Sequence, residues 1–192
     1  IEGNGNVVRN NFIGTDESGT QAVGNLGDGV EVRGSNNTIT NNVISGNGRY
    51  GISIVHVDTV GTIVQHNVIG TNQAGTGALP NVLGGVAISD FASGNLIGGI
   101  SDPADVIAGR FDEVQGNVIS GNGGYGVVLA SGASGNLVQG NAIGTSISTA
   151  SVLPNHGDAG VVIFHAPGNT VGGSQPGLGN VISGNTGLGV AI

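Results

Sequence analysis

The sequence lacks several residue types altogether. Its 192 residues include no cysteine, methionine, tryptophan or lysine, and only 8% are charged, against roughly 25% in an average soluble domain. Without cysteine there is no disulfide framework and no thiol chemistry. The formal charge of −8 leaves no basic stripe for neutralising phosphates, so nucleic acid is not an expected partner. Apolar runs are only a few residues long, so we expect no membrane insertion.

Glycine, asparagine and β-branched residues dominate what remains. The 40 glycines follow no three-residue period, which excludes collagen, and the many valines and isoleucines argue against a disordered linker. One phrase recurs as NVISGNGRYGISI at 42–54, NVISGNGGYGVVL at 117–129 and NVISGNTGLGVAI at 180–192. A second phrase, N-x-I-G-T, alternates with it at 11–15, 67–71 and 141–145. The chain is therefore built from internal repeats.

Three positions recur once in every repeat unit. The first is an asparagine followed two residues later by isoleucine, which predicts a structural ladder of Asn11, Asn42, Asn67, Asn117, Asn141 and Asn180. The second is an upstream ladder of Asn6, Asn37, Thr62, Asn95, Asn136 and Asn169. The third is a G-[VI]-x-[VIL] segment that begins at Gly29, Gly51, Gly85, Gly126, Gly160 and Gly189.

These units predict an all-β fold with no helical periodicity. Each unit holds three short segments of alternating apolar residues separated by Gly/Asn turns, and the shortest unit has room for three strands and three turns. Such short strands cannot bury an apolar face alone, but stacked coils bury a continuous column of Val and Ile. We therefore predict a single-stranded, right-handed parallel β-helix of about six coils, with residues 1–192 forming one continuous segment.

The asparagines and the insertions have roles in this architecture. Asparagine tolerates left-handed backbone angles and bonds neighbouring turns, so we interpret the ladder as structural rather than as a row that grips a ligand. Long loops follow each N-x-I-G-T phrase, at 16–28, 72–84 and 146–159. Because alternate coils carry them, they should project from one side. Further insertions follow the upstream ladder at 98–116 and 172–179.

The asparagine phrases and G-V-x-I strands resemble the right-handed parallel β-helix repeats of the pectate-lyase-like superfamily. N-x-I-G-T-D-x-x-G-T and N-V-I-S-G-N are similar to repeats in long exported bacterial proteins. The resemblance covers nearly the whole chain and implies the fold. It implies no single activity, because the superfamily includes lyases, hydrolases, epimerases, tailspikes, adhesins and inert spacers. In family terms, the G-V-x-I segments resemble the first strand of each coil.

Enzymes of that superfamily use the outward face of the first sheet. The outward positions here hold one acid and one base, Glu31 and Arg33, and become apolar toward the C-terminal half. A glycosidase needs two carboxylates across a groove, and a lyase needs a cation cluster with a base. The pair is therefore expected to be a surface ion pair, and the pattern favours a protein that is not an enzyme.

Two other groups are candidates for binding. Adjacent outward residues on the first sheet form an apolar patch of Val128, Ala130, Val162 and Phe164, and such patches mark interfaces unless the long loops fold over them. The insertion at 98–116 carries Asp102, Asp105, Asp112 and Glu113. These acids could hold Ca²⁺, but they lack the spacing of known calcium loops, and no other cofactor is implied.

The sequence therefore predicts a structural or adhesive solenoid segment, a rigid spacer or filament-forming rod, of a larger secreted or cell-surface protein. The alternative is a carbohydrate-active or carbohydrate-binding β-helix with a groove along the first sheet or under the long loops. Ile1 and Ile192 occupy the same point of the winding. We therefore expect a slice of a longer solenoid, or one that associates with itself or with neighbouring coils end to end.

Overall fold

The computed structural model describes residues 1–99 and 116–192. Within these ranges the chain forms eighteen short β-strands and no helix, so no described helix could cross a membrane. The strands make three parallel sheets of six strands each, and every strand pairs with the equivalent strands of the neighbouring coils. The molecule is a right-handed parallel β-helix of six coils, as predicted.

Each coil contributes one strand to each sheet. The first sheet contains β3 (Val30–Val32), β6 (Tyr50–Ile54), β9 (Gly84–Ile88), β12 (Tyr125–Ala130), β15 (Ala159–Phe164) and β18 (Leu188–Ala191). The second sheet contains β1 (Val7–Arg9), β4 (Thr38–Thr40), β7 (Ile63–Gln65), β10 (Leu96–Gly98), β13 (Leu137–Gln139) and β16 (Thr170–Val171). The third sheet contains β2 (Phe12–Ile13), β5 (Val43–Ile44), β8 (Val68–Ile69), β11 (Val118–Ile119), β14 (Ala142–Ile143) and β17 (Val181–Ile182).

The core is a column of aliphatic side chains along the axis. Alternation within each strand sends every second residue inward, and the paired register places like residues on top of each other, as at Ile44 and Ile69. The column is fully buried through the inner coils, with 0% exposure at Ile39, Ile44, Ile54, Ile69, Ile97, Ile119, Leu129 and Ile143. Burial of this column is the main driving force for the fold.

The predicted ladder of six asparagines is confirmed at the corner between the second and third sheets; we call it the first ladder. Each Nδ2 donates to the Oδ1 of the asparagine one coil further on, at 2.9–3.0 Å. The same Oδ1 also accepts the preceding asparagine's backbone N–H, for example from Asn67 to Asn117 at 3.0 Å. The inner rungs are buried, so the ladder satisfies corner groups that the strands leave unpaired.

The upstream positions form a second ladder, at the corner between the first and second sheets. Asn95 and Asn136 donate to the next Oδ1 at 3.0 Å. Thr62 interrupts the row, since its backbone N–H reaches Asn95 at 2.9 Å but its buried Oγ1 has no hydrogen-bond partner among the described residues.

A third ladder, which the sequence analysis missed, lies at the corner between the third and first sheets. It consists of Asn25, Asn47, Asn81, Asn122, Asn155 and Asn185, again with Nδ2–Oδ1 distances of 2.9–3.0 Å. The signal was available, because each of these asparagines precedes the glycine of the G-V-x-I segment by four residues, or by five at Asn155. The long loops obscured it, because Asn25, Asn81 and Asn155 lie inside them.

The third ladder also explains the glycine of G-V-x-I. A Cβ atom on Gly126 would lie 2.6 Å from Cγ2 of Ile143, 3.0 Å from Nδ2 of Asn155 and 2.6 Å from the carbonyl oxygen of Gly160. Glycine is required there because the next coil's isoleucine and ladder asparagine fill the inside of the corner. The isoleucine of N-x-I, the third-ladder asparagine and the glycine of G-V-x-I thus form one packing unit.

Candidate functional site

The three long loops share one hairpin-like conformation at equivalent places. Each is closed by an antiparallel bridge, Thr15 with Ala22, Thr71 with Ala78, and Thr145 with Val152. In the first loop Oδ1 of Asp16 accepts the backbone N–H groups of Thr20 and Gln21 at 2.9 and 3.0 Å. Oδ2 accepts the Ser18 hydroxyl at 2.7 Å. These bonds, the Ser18 hydroxyl foremost, lower the pKa of the Asp16 carboxyl.

The other two loops replace this aspartate by uncharged acceptors. Oδ1 of Asn72 accepts the backbone N–H groups of Thr76 and Gly77 at 2.9 and 3.2 Å. Oγ of Ser146 accepts the N–H of Ser151 at 3.2 Å. Because the position needs only an acceptor, Asp16 has a structural role in its loop.

The loops lie side by side on the third sheet. Gln73 N–H donates to the Gly19 carbonyl at 2.9 Å, and Ile147 N–H donates to the Gly75 carbonyl at 3.3 Å. The expectation that the loops project from one side is therefore confirmed. The tip of the first loop lies against the third sheet, where Gly19 meets the Phe12 ring.

A shallow groove opens between the second loop and the third sheet. Its volume is about 230 Å³, and it is lined by Asn10, Asn11, Phe12, Asn41, Val43 and Gln73. The Phe12 ring is 39% exposed, whereas Val43 beside it is 7% exposed. No side chain in the lining is ionisable. The sequence analysis named none of these residues as ligand contacts, because their meeting depends on how the loops fold back.

The first-sheet face carries the residues that the sequence singled out. Nε of Arg33 lies 2.7 Å from Oε1 of Glu31, and both side chains are about half exposed. The expected surface ion pair is thus confirmed.

The apolar patch lies further along the same face. Val128, Ala130 and Val162 are half-buried, and Phe164 is 62% exposed with its ring 4.1 Å from that of His165. The long loops therefore do not cover Phe164. Association through this patch stays a prediction.

The candidate calcium ligands Asp102, Asp105, Asp112 and Glu113 lie outside the described residues. Within residues 1–99 and 116–192, no group of three or more His, Asp or Glu side chains is placed to hold a metal ion.

Comparison of the chain with protein-family models, with curated proteins and with solved structures finds no match.

Proposed function

We propose that this chain is a structural or adhesive rod segment that continues through end-on contact with further coils of the same kind. The observation that carries the proposal is the uniform direction of the three asparagine ladders. In each Nδ2–Oδ1 rung of the described ladders, the donor lies in one coil and the acceptor in the next coil toward the C terminus. A structure with one repeated interface between coils is rigid along its axis and extends by adding coils.

The two end faces of the rod are complementary. The sixth coil presents the backbone N–H groups of Asn169, Asn180 and Asn185, which are equivalent to inner groups that donate to the next Oδ1. The first coil presents the Oδ1 atoms of Asn6, Asn11 and Asn25, which are equivalent to inner acceptors. A coil in the same register would satisfy both sets. In a junction of two copies, Ile1 would have to move from its place beside Glu31 and Arg33, because Ile192 of the other copy occupies the same point of the winding.

The loop pattern also fits such a junction. Loops occur on coils one, three and five, so a first coil placed after the sixth keeps the alternation. Glu17 is equivalent to Gln73, and Thr149 to Gly75. The N–H of Glu17 in the added coil would thus face the Thr149 carbonyl, continuing the contacts between loops.

The resemblance to exported bacterial repeat proteins supports a place outside the cell or on its surface. A low charge content and loops gathered on one side suit a rod that separates or displays other parts of a larger assembly.

The test is the association of the 192-residue chain, measured by light scattering and electron microscopy over a concentration series. We expect particles to lengthen at constant width. Val190→Arg should abolish the lengthening, because Val190 continues the inward column of Val161 and a second coil would bury the added charge. Phe164→Arg is the matched control on the lateral face and should associate like the parent chain. A monodisperse parent chain, or association that only Phe164→Arg abolishes, would contradict end-on continuation.

A further inference from the structure

The repeat provides an internal comparison for every position. Residues that stay the same from coil to coil serve the common fold. Residues that differ in one coil reflect a requirement of that coil alone. The outward residue of the third sheet is aliphatic in five coils and aromatic in the first: Phe12, Val43, Val68, Val118, Ala142, Val181. The residue before the first-ladder asparagine is an amide in only two coils: Asn10, Asn41, His66, Gly116, Gly140, Gly179.

The exceptions converge on one place. Phe12, Asn10 and Asn41 line the same groove together with Gln73 of the second loop. The equivalents of Gln73 in the other loops are Glu17 and Ile147, so this amide too is particular to its coil. One aromatic ring and three exposed amides that the repeat does not require therefore surround a single concave surface.

One edge of the Phe12 ring packs against the first loop. A Cβ on Gly19 would lie 2.8 Å from Cε1 of Phe12 and 2.9 Å from Cβ of Gln73, so the tip of the first loop packs tightly against the ring edge. The bonds of Asp16 fix that tip. The contact limits the movement of the ring on the loop side, and its exposed part lines the groove, which lowers the entropic cost of binding.

The amides are free to serve a ligand. Asn10 and Asn41 have φ of 59° and 56°, a conformation that asparagine tolerates and glycine adopts more readily. Gly140 fills the equivalent position of coil five with φ of 64°, so the backbone there does not need an amide. Nδ2 of Asn41 makes one long bond of 3.2 Å to the Thr40 hydroxyl, and the side chains of Asn10 and Gln73 are exposed.

We propose that this groove binds one pyranose unit of a neutral saccharide. A pyranose presents a face of C–H groups, which packs on an aromatic ring, and a rim of hydroxyls that both donate and accept, as carboxamides do. The groove of about 230 Å³ has room for one pyranose ring. Phosphate and uronate groups do not fit, because the lining offers no cation and the chain is acidic. The inference is independent of the proposed rod.

The experiment is a titration of the ¹⁵N-labelled 192-residue chain followed by two-dimensional NMR, in which side-chain NH₂ groups are observed directly. The chain carries Val190→Arg, far from the groove, so that end-on association cannot broaden the signals. The probes are short neutral glucan, mannan and galactan oligosaccharides, with an oligogalacturonate and a proline-rich peptide as competing classes. We expect saturable shifts of the Asn10, Asn41 and Gln73 side chains with at least one neutral oligosaccharide.

The variants use residues that the repeat itself carries at these positions. Phe12→Val should weaken the interaction by about tenfold, which corresponds to about 1.4 kcal/mol, and Gln73→Ile and Asn10→Gly should each weaken it less. Phe164→Val is the control, because Phe164 is an exposed phenylalanine that lies outside the groove and its amide side chains. It should leave binding unchanged. The backbone spectrum of each variant shows whether it folds. No saturable shift with any neutral probe, shifts centred on Phe164, or binding of only the acidic probe or the peptide would overturn the proposal.

Discussion

At the scale of single residues, Thr62 shows how a repeat can carry a defect. It occupies a ladder position that is otherwise always asparagine, it is fully buried, and its hydroxyl has no partner within the described part of the chain. The rung between Asn37 and Asn95 is therefore incomplete. A buried polar group without a partner costs stability.

Thr62→Asn should repair the second ladder. The new Oδ1 can accept from Asn37, and the new Nδ2 can donate to Asn95, while the side-chain volume hardly changes. We expect the free energy of unfolding to rise by about 1–2 kcal/mol, measured by urea denaturation. Thr59→Asn, at a buried threonine whose hydroxyl already donates to the Val55 carbonyl, is the control and should destabilise. A neutral or destabilising Thr62→Asn would show that the rung cannot form.

The corner glycines make a second prediction at this scale. Gly126→Ala should lower the free energy of unfolding by about 1–3 kcal/mol, because the new methyl group would overlap Ile143 and a backbone carbonyl. Gly27→Ala adds the same methyl group where nothing lies within 4 Å and should be neutral or slightly stabilising. Thermal unfolding of the two variants measures the difference. If both substitutions change the free energy of unfolding equally, the backbone at the corner moves to accommodate the methyl group at little cost.

At the scale of elements, each long loop depends on one acceptor side chain. For Asp16 that acceptor is charged, and its hydrogen bonds lower the pKa of the carboxyl. A lowered pKa in the folded state means that the charged form supports the loop at pH values above the ordinary pKa of 3.8. This support is lost as the pH falls through the lowered value.

We therefore expect the backbone amides of Thr20 and Gln21 to lose, in acid, the chemical shifts typical of hydrogen-bonded amides. The equivalent amides of the Asn72 loop should keep theirs. Asp16→Asn copies the second loop and should remove this dependence on pH without opening the tip, whereas Asp16→Ala should open the tip at every pH. If the amides still respond to acid in Asp16→Asn, another group controls the loop.

The elements also show the limits of prediction from sequence. Strands and ladders follow from phrases that recur, because a structural position repeated in each coil leaves a repeated residue. The position of the loop tips is not marked by a repeated residue. It depends on Gly19 packing against Phe12 and on backbone hydrogen bonds between loops. The groove therefore could not be predicted from the sequence. The sequence does show that Phe12, Asn10 and Asn41 depart from the repeat, but not that they lie close together.

At the scale of the whole molecule, every coil makes nearly the same interface with the next. Three ladders and three sheets repeat through the six coils, so the free energy of the rod is close to a sum of terms between neighbours. The sequence predicted this architecture because the same residue types satisfy each interface. A coil added in register gains the same terms, which is the physical reason to expect end-on rather than lateral growth.

The direction of the ladders has an electrical consequence. In all three rows each inner Oδ1 accepts from the coil before it, and each inner Nδ2 donates to the Oδ1 of the coil after it as well as to a backbone carbonyl of the coil before it. The carboxamide oxygens thus all face the first coil. Amide dipoles aligned head to tail add together, as they do along a helix. The rod should therefore carry a permanent dipole with its negative pole at the first coil, opposite in sense to that of an α-helix. Two rods side by side and parallel would repel each other, whereas two rods end to end would attract.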